Sequence, residues 1–297
     1  MKTGTLYVVA TPIGNLDDIT VRALQVLRSV DLIACEDTRR SRILLQHWKI
    51  NSRLVSLHRF SETRKLGLIL GHLERGDQVA LISDAGSPAI SDPGNRLVRA
   101  ALESGFRVTP LPGPSAITAA LSASGVDASS FVFLGFVPKK DGLRRAFFEA
   151  LRGESRPAVF FETAKRIQES LSIAAEVLGT RRMVLFRELT KLHEEIVPGS
   201  PESLRERVCA KEPIKGEIVV VVDAAPAGEE VHTSVDEAIR LLTQEGLSGR
   251  ELVQEGRRRF GLRKTDVYRA WTKREHQFFL SQNSRENASP SLADNES

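Results

Sequence analysis

The 297-residue chain is poor in the residues that mark many special protein classes. It holds two cysteines, two tryptophans, two tyrosines and two methionines. Cys35 and Cys209 are too few for a disulfide framework and fit a reducing compartment, so a cytoplasmic protein is expected. Six histidines and two cysteines show no C-x-x-C or H-x-x-x-H spacing, which argues against a structural metal. No G-x-G-x-x-G occurs, and nicotinamide-dinucleotide chemistry therefore lacks its fingerprint. No run of about 18 apolar residues is present, and the first five residues lead straight into a strand without the form of a signal peptide. No membrane association is expected. Forty-two basic and 38 acidic residues leave a net charge of only +4, so the distribution of charge matters more than its sum. No internal repeat stands out.

What is present is ordinary globular composition, 41% hydrophobic and 27% charged, in a chain long enough for two domains and an appendage. Apolar runs at Leu6–Ala10, Leu32–Cys35, Val79–Ile82 and Arg107–Pro110 read as strands. Helical spacing intervenes at Ile19–Val30, near Ile43–Trp48, at Glu62–Leu73 and over Asn95–Leu102. Strands alternating with helices predict a mostly parallel α/β sheet over residues 4–112. Pro112-Gly113-Pro114 breaks the rhythm, and Ser115 is a good N-cap for a helix over 116–124. A second α/β domain is expected over 113–225, with strands at Phe131–Leu134, Ala158–Phe161, Met183–Phe186 and Ile218–Val222. Residues 224–230 read as a linker. Three short helical patterns follow within 233–276, resembling a helix-turn-helix-like module. Residues 277–297, rich in Ser, Asn and Glu, read as a disordered tail.

The densest information lies in Ser83-Asp84-Ala85-Gly86-Ser87-Pro88-Ala89-Ile90-Ser91-Asp92-Pro93-Gly94, a loop between a buried strand and an amphipathic helix. It carries two Gly, two Pro and two Asp, and Asp92 is a candidate cap for the helix that follows. In open α/β sheets ligands sit at the carboxyl ends of strands, where this loop falls. Gly86 removes a side chain and lets a ligand approach the backbone. Asp84 closes a buried apolar strand, where a charged group is costly without a partner.

This loop, with Thr11-Pro12-Ile13-Gly14, Cys35-Glu36-Asp37-Thr38-Arg39, Leu111-Pro112-Gly113-Pro114-Ser115-Ala116, Gly135-Phe136-Val137-Pro138, Phe160-Phe161-Glu162-Thr163, Arg187-Glu188-Leu189-Thr190-Lys191 and Lys215-Gly216-Glu217, resembles the tetrapyrrole-methylase-like family. The likeness runs from about residue 4 to about residue 224. Its nearest branch is the bacterial 16S rRNA (cytidine-2′-O-)-methyltransferases. The resemblance implies that the second sheet is mixed and that a cofactor cleft lies between the two sheets. It also implies S-adenosylmethionine as cofactor, held by Pro12, Asp84, Gly86, Ser87, Ser115, Ala116 and Phe161. The partners implied are small-subunit rRNA or the 30S subunit, and a second copy in a homodimer.

A ribose hydroxyl needs a proton acceptor within reach. Glu162, Glu188 and Lys191 are the candidates, and for Glu188 and Lys191 an ion pair at a strand end is an equal alternative. Asp37 reads as a helix cap. Arg39, with Arg40 and Arg42, and the group Lys139, Lys140, Arg144 and Arg145 are candidate phosphate contacts at the cleft. Between positions 257 and 274 eight basic residues face one acid, Asp266, so Arg258, Arg259 and Lys264 are candidate RNA contacts as well. A small-molecule methylase and a DNA-binding regulator built on the helical module are the alternatives. The first leaves the basic module without a purpose, and the second leaves both sheets without one.

Overall fold

The computed structural model describes residues 4–58, 62–210, 214–226, 235–244, 247–260, 262 and 264–272. The expected disordered tail lies outside the described residues, as do the side chains of Arg258 and Arg259.

The first sheet is built from β1 (Thr5–Val9), β2 (Leu32–Cys35), β3 (Leu54–Ser56), β4 (Val79–Ile82) and β5 (Arg107–Leu111), in the order β3-β2-β4-β1-β5 with every neighbour parallel. Its strands alternate strictly. Leu32, Ala34, Val79 and Leu81 join one core with Ile69 and Leu73 of α3 (Glu62–Glu74) and Leu97 of α4 (Asn95–Glu103). Ile33, Cys35, Ala80 and Ile82 join the opposite core with Leu24 and Leu27 of α1 (Val21–Ser29) and Leu44 and Leu45 of α2 (Thr38–His47). A parallel sheet covered on both faces needs such unbroken apolar runs.

Side-chain caps set where these helices begin. The Thr20 hydroxyl accepts from the Ala23 amide at 3.1 Å ahead of α1, and Asp37 Oδ1 accepts from the Arg39 amide at 2.8 Å ahead of α2. The cap at Asp37 explains why α2 starts five residues before the Ile43–Trp48 pattern. For α4 the N-cap is Gly94, with no side-chain capping bond, and not Asp92. Asp92 is thereby released for another role.

The second sheet runs β6-β7-β10-β8-β9, from β6 (Val132–Phe136), β7 (Ala158–Thr163), β8 (Met183–Arg187), β9 (Glu195–Gly199) and β10 (Glu217–Val222). Only β6 and β7 are parallel; the other pairs are antiparallel, so this sheet is mixed. One face packs on α6 (Asp141–Leu151), α7 (Ile167–Leu178) and α8 (Pro201–Cys209), the other on α5 (Ala116–Ser124). Strands β3 and β9 are absent from the sequence reading. The first is three residues long, and the second carries Glu195 and Pro198 on a sheet edge, where proline is tolerated because one side needs no ladder bond.

The turn 112–114 thus separates the two sheets, yet both belong to one compact unit, Met1–Ala225. Pro226–Ser297 form a second unit, which is described by itself. In it α9 (Val235–Gln244), α10 (Gly249–Phe260) and α11 (residues 264–272) enclose a small core of Ile239, Leu242, Leu252, Val253 and Val267.

Phe160 is 1% exposed in the second sheet, its ring centroid 5.5 Å from that of Phe147 and 5.8 Å from that of Phe148. Phe160→Ala is expected to cost about 3–5 kcal/mol of stability, because the aromatic cluster cannot collapse into the void. Urea unfolding of the full chain measures it, and a loss below about 1 kcal/mol would show that the void is refilled.

Candidate active site

The loop after β4 is pinned to the end of β1. The Thr11 amide donates to the Gly86 carbonyl and the Gly86 amide donates back, both at 2.9 Å. The Thr11 hydroxyl donates to the Ser83 carbonyl at 3.0 Å, and the Ser83 hydroxyl to the Gly86 carbonyl at 3.0 Å. Gly86 sits at φ 74°, a conformation open to glycine, and a Cβ there would come within 3.4 Å of Ile13. Ala89 and Ser91 are also left-handed, at φ 66° and 63°, so the loop is held rather than relaxed.

Pinning fixes Asp84. Its Oδ1 accepts from the Asp37 amide at 3.0 Å, and its Oδ2 lies 3.7 Å from Arg40 Nε. The carboxylate thus ties the carboxyl end of β4 to the first turn of α2. Asp37 in turn holds Arg39, with Oδ2 to NH2 at 2.7 Å, and that guanidinium brings the Asp37 carboxyl down to about 2.

These elements wall a cavity of about 420 Å³ between the two sheets. Asp84, Gly86, Ser87, Ser115, Ala116 and Phe161 all line it, as the resemblance implies. Pro12 does not: it is buried behind the wall, and its neighbour Ile13 faces the cavity instead. Ser115 occupies the N-cap position of α5 but makes no side-chain capping bond, so the first turn of that helix opens onto the cavity. Phe161 is braced by Phe133 at 5.1 Å and Phe136 at 5.3 Å between ring centroids.

The charge on the walls is one-sided. Glu36, Asp84, Asp92, Glu162 and Glu217 line the cavity with Arg40 as the one cation among the described lining residues, although Glu162 is paired with Arg166 and Glu217 with Lys191 just off the wall. Crowding shows in the acidities. Burial, with repulsion from Glu36 and Asp84, pushes Asp92 up to about 6, although the Ser83 hydroxyl counters the rise. Burial and Asp84 likewise push Glu36 up, with Arg40 working against them. Glu36, Asp92 and Glu217 are the lining carboxylates that sequence reasoning missed. The signal for the first two was in plain view, as each is an acid at the end of a strand or inside the specific loop.

The three candidate bases fare differently. Glu162 reaches the wall but its side chain is fully buried, accepting from the Thr163 amide at 2.7 Å, the Ser170 hydroxyl at 2.5 Å and Arg166 at 2.6 Å. So engaged, it anchors β7 to α7 through Ser170. Glu188 and Lys191 lie off the cavity wall. Lys191 Nζ donates to Glu188 Oε1 at 2.9 Å and to Glu217 Oε2 at 3.1 Å, and Glu188 also accepts from the Glu217 amide at 2.9 Å. Burial alone would raise the Glu188 carboxyl, but the Lys191 and Glu217 hydrogen bonds bring it below its usual range. The ion pair at a strand end is the arrangement the structure adopts.

The basic candidates divide too. Arg39 and the Lys139–Lys140 pair are exposed. Arg144 is 2% exposed, bound to Glu169 at 2.6 Å and to the Lys139 carbonyl at 3.0 Å, so it is a buried brace of α6 on α7 and no phosphate contact. Arg145 pairs with Glu176 across the same two helices. Lys264 is exposed in the second unit.

The profile of the Tetrapyrrole (Corrin/Porphyrin) Methylases matches residues 5–205. A protein of Mesorhizobium japonicum named Ribosomal RNA small subunit methyltransferase I is 43% identical over 265 residues, covering 89% of this chain and 90% of that one. One of the same name from Escherichia coli O157:H7 is 48% identical, covering 76% and 80%. Among solved structures, a cobalt precorrin-4 methyltransferase superposes with a TM-score of 0.55 at 16% identity, covering 74% of this chain and 94% of that one. A diphthine synthase superposes at 0.57 and 15% identity, covering 74% and 90%. At such identity the structures speak to the fold alone.

Asp92 generates a prediction about pH. Because its folded pKa is raised to about 6, the folded chain holds this proton more tightly than the unfolded one. The stabilisation is full below the ordinary aspartate value of about 4 and is lost as pH rises through about 6. Asp92→Asn is therefore expected to be more stable than the parent at pH 7.5, by about 1 kcal/mol once partial solvent screening is allowed for, and equal to it near pH 4. Urea midpoints at the two pH values test this; the same shift at both would refute it.

Proposed function

The chain belongs to the tetrapyrrole (corrin/porphyrin) methylase family, and on that premise we propose that it transfers a methyl group from S-adenosylmethionine to 16S ribosomal RNA, at the 2′-oxygen of a cytidine ribose. The observation that carries the reading is the acid-lined cavity. When bound, S-adenosylmethionine supplies an electrophilic methyl group on a cationic sulfonium. Its ammonium adds a second positive charge and its carboxylate one negative, which leaves a net cation. Glu36, Asp84 and Asp92 beside the single guanidinium of Arg40 suit a ligand of that sign, Glu162 and Glu217 being already paired. A dinucleotide, with its paired phosphates, would be repelled by the same walls.

The residues present also fit the rest of the cofactor. Asp84 offers acceptor oxygens for hydroxyl or ammonium groups. The missing side chain at Gly86 leaves room against Ile13, and Phe136, Phe161 and Ile13 give apolar surface for an adenosine. The ribose hydroxyl is a poor nucleophile until its proton leaves. Asp92 is assigned that proton, since it faces the cavity, is flanked by carboxylates in place of a cation, and ionises near 6. Such a base is largely charged at pH 7 and still holds a proton well.

The names of the curated relatives favour rRNA over a tetrapyrrole precursor as substrate. Phosphates would meet Arg39, Lys139 and Lys140 on the first unit and the basic stretch with Arg258, Arg259 and Lys264 on the second. The enzyme is assigned to the cytoplasm as a homodimer. No helix among the described residues is long and apolar enough to cross a membrane.

Mass spectrometry of rRNA nucleosides, after incubating the protein with S-adenosylmethionine and 16S rRNA or 30S subunits from a strain deleted for the activity, tests the function. A 2′-O-methylcytidine is expected, and no new methylated nucleoside would overturn the reading. Asp84→Ala is expected to weaken S-adenosylmethionine binding at least tenfold by calorimetry, the value of about 1.5–3 kcal/mol for a charge-assisted hydrogen bond. Asp92→Asn should still bind the cofactor, with a far smaller loss than in rate, and lose about 10²–10⁴-fold in single-turnover rate at saturating cofactor.

A further inference from the structure

The second unit carries a groove of its own, of about 850 Å³, between the start of α10 and the face of α11. Its lining is Arg250, Val253 and Gln254 on one side and Lys264, Tyr268 and Trp271 on the other. Lys264, Tyr268 and Trp271 fall at i, i+4 and i+7, one face of α11, while Val267 turns into the core. Tyr268 is 56% exposed, an unusual position for a tyrosine in a chain that has only two. Its ring centroid lies 6.0 Å from that of Trp271, with the planes inclined at 59°. Among the described residues two exposed cations and no carboxylate line this groove, the opposite of the cavity in the first unit.

We propose that this groove binds an unpaired segment of RNA, with a nucleobase stacked on Tyr268 and the flanking phosphates held by Arg250 and Lys264. The inference rests on the reading of the chain as an rRNA methyltransferase for the source of the strand, but its chemistry is independent of the methyl transfer. Three observations select a single strand over other occupants. An aromatic face presented to solvent beside cations is the arrangement that stacks splayed bases and tracks a backbone, whereas a stacked duplex offers no free base face. The sequence around α11 is strongly basic, eight cations to one acid over residues 257–274, which matches a polyanion and not an acid-poor protein surface. Finally, with no carboxylate among its described lining residues the groove offers a phosphate no like charge, unlike the cavity of the first unit.

The test uses the full chain and a fluorescein-labelled 12-nucleotide single-stranded RNA of mixed sequence, with its duplex as comparator, read by anisotropy at several salt concentrations. A 4-thiouridine version is crosslinked and the adduct mapped by mass spectrometry. Tyr268→Ala should weaken single-strand binding about tenfold with an unchanged salt slope, and Tyr268→Phe should restore it. Lys264→Gln should also weaken binding but make the slope of log affinity against log salt shallower by about 0.7. The adduct should map to residues 264–272. Thermal unfolding and S-adenosylmethionine titration of each variant confirm that it is folded. Parent-like affinity in folded Tyr268→Ala, binding of the duplex as tight as of the single strand, or an adduct confined to residues 1–225 would each overturn the proposal. Absence of methyl transfer to rRNA with these binding results intact would sink the proposed activity and leave the groove standing.

Discussion

Carboxylates crowded at the carboxyl ends of β2 and β4 are the constraint on which the rest of this molecule turns. Glu36, Asp84 and Asp92 stand in one partly buried space with Arg40 as the local counter-charge, and burial first, then repulsion from Glu36 and Asp84, pushes Asp92 up to about 6. Mutual repulsion of this kind opposes folding at neutral pH. It persists because the fold over-determines it. Asp84 is held by the Asp37 amide, the loop is stapled by the reciprocal Thr11–Gly86 bonds, and Ala89 and Ser91 are kept left-handed between fixed ends. A cationic ligand would relieve the repulsion, and that relief would add to its affinity.

The far wall of the cavity is strained in a comparable way. Glu188 and Thr190 are left-handed at φ 54° and 67°, and the Thr190 hydroxyl accepts from the Asn15 amide at 3.0 Å. A Cβ at Gly14 would stand 2.5 Å from Lys191 and 2.8 Å from the Leu189 carbonyl. The loop after β1 therefore meets the loop after β8 backbone to backbone. That contact closes one end of the space between the sheets. It also gives the Glu188–Lys191–Glu217 cluster its purpose: three charged groups that hold the 188–191 loop in shape so that Leu189 and Glu217 face the cavity. Sequence reasoning placed this segment near the site and left its charges open between base and ion pair, because an acid and a base at a strand end look alike whether they pair with each other or with a substrate.

The legibility of the rest follows the same physics. Strands covered on both faces announce themselves as unbroken apolar runs, and all of these are visible in the chain, from Val79–Ile82 to Ile218–Val222. Edge strands are less so, because half their hydrogen bonds need no partner and their composition is free: β3 and β9 escaped the sequence reading, while β5 and β6, also at edges, kept enough apolar residues to be read. Backbone features that contribute to the cavity were readable where glycine and proline punctuate the chain, so the loop 83–94 and the start of α5 could be named in advance. The direction in which a side chain points was not. Pro12 and Ile13 differ by one position, and one is buried while the other lines the wall. Arg144 and Arg145 differ by one position on a helix, a turn of about 100°, and this alone sends the first into the core beside Glu169 and leaves the second at the surface.

Local placement of charge lets a chain of nearly neutral sum suit a cation at one site and a polyanion at another. Residues 1–225 hold 31 basic and 26 acidic residues, yet acids crowd the cavity there. Residues 226–297 hold 11 basic and 12 acidic residues, yet Arg250 and Lys264 flank the groove there. The balance over either unit therefore points the opposite way from its site. A ligand feels charges within a Debye length of about 10 Å far more than the remainder. The few side chains on each wall, and not the net charge of +4, set which sign of ligand each site suits.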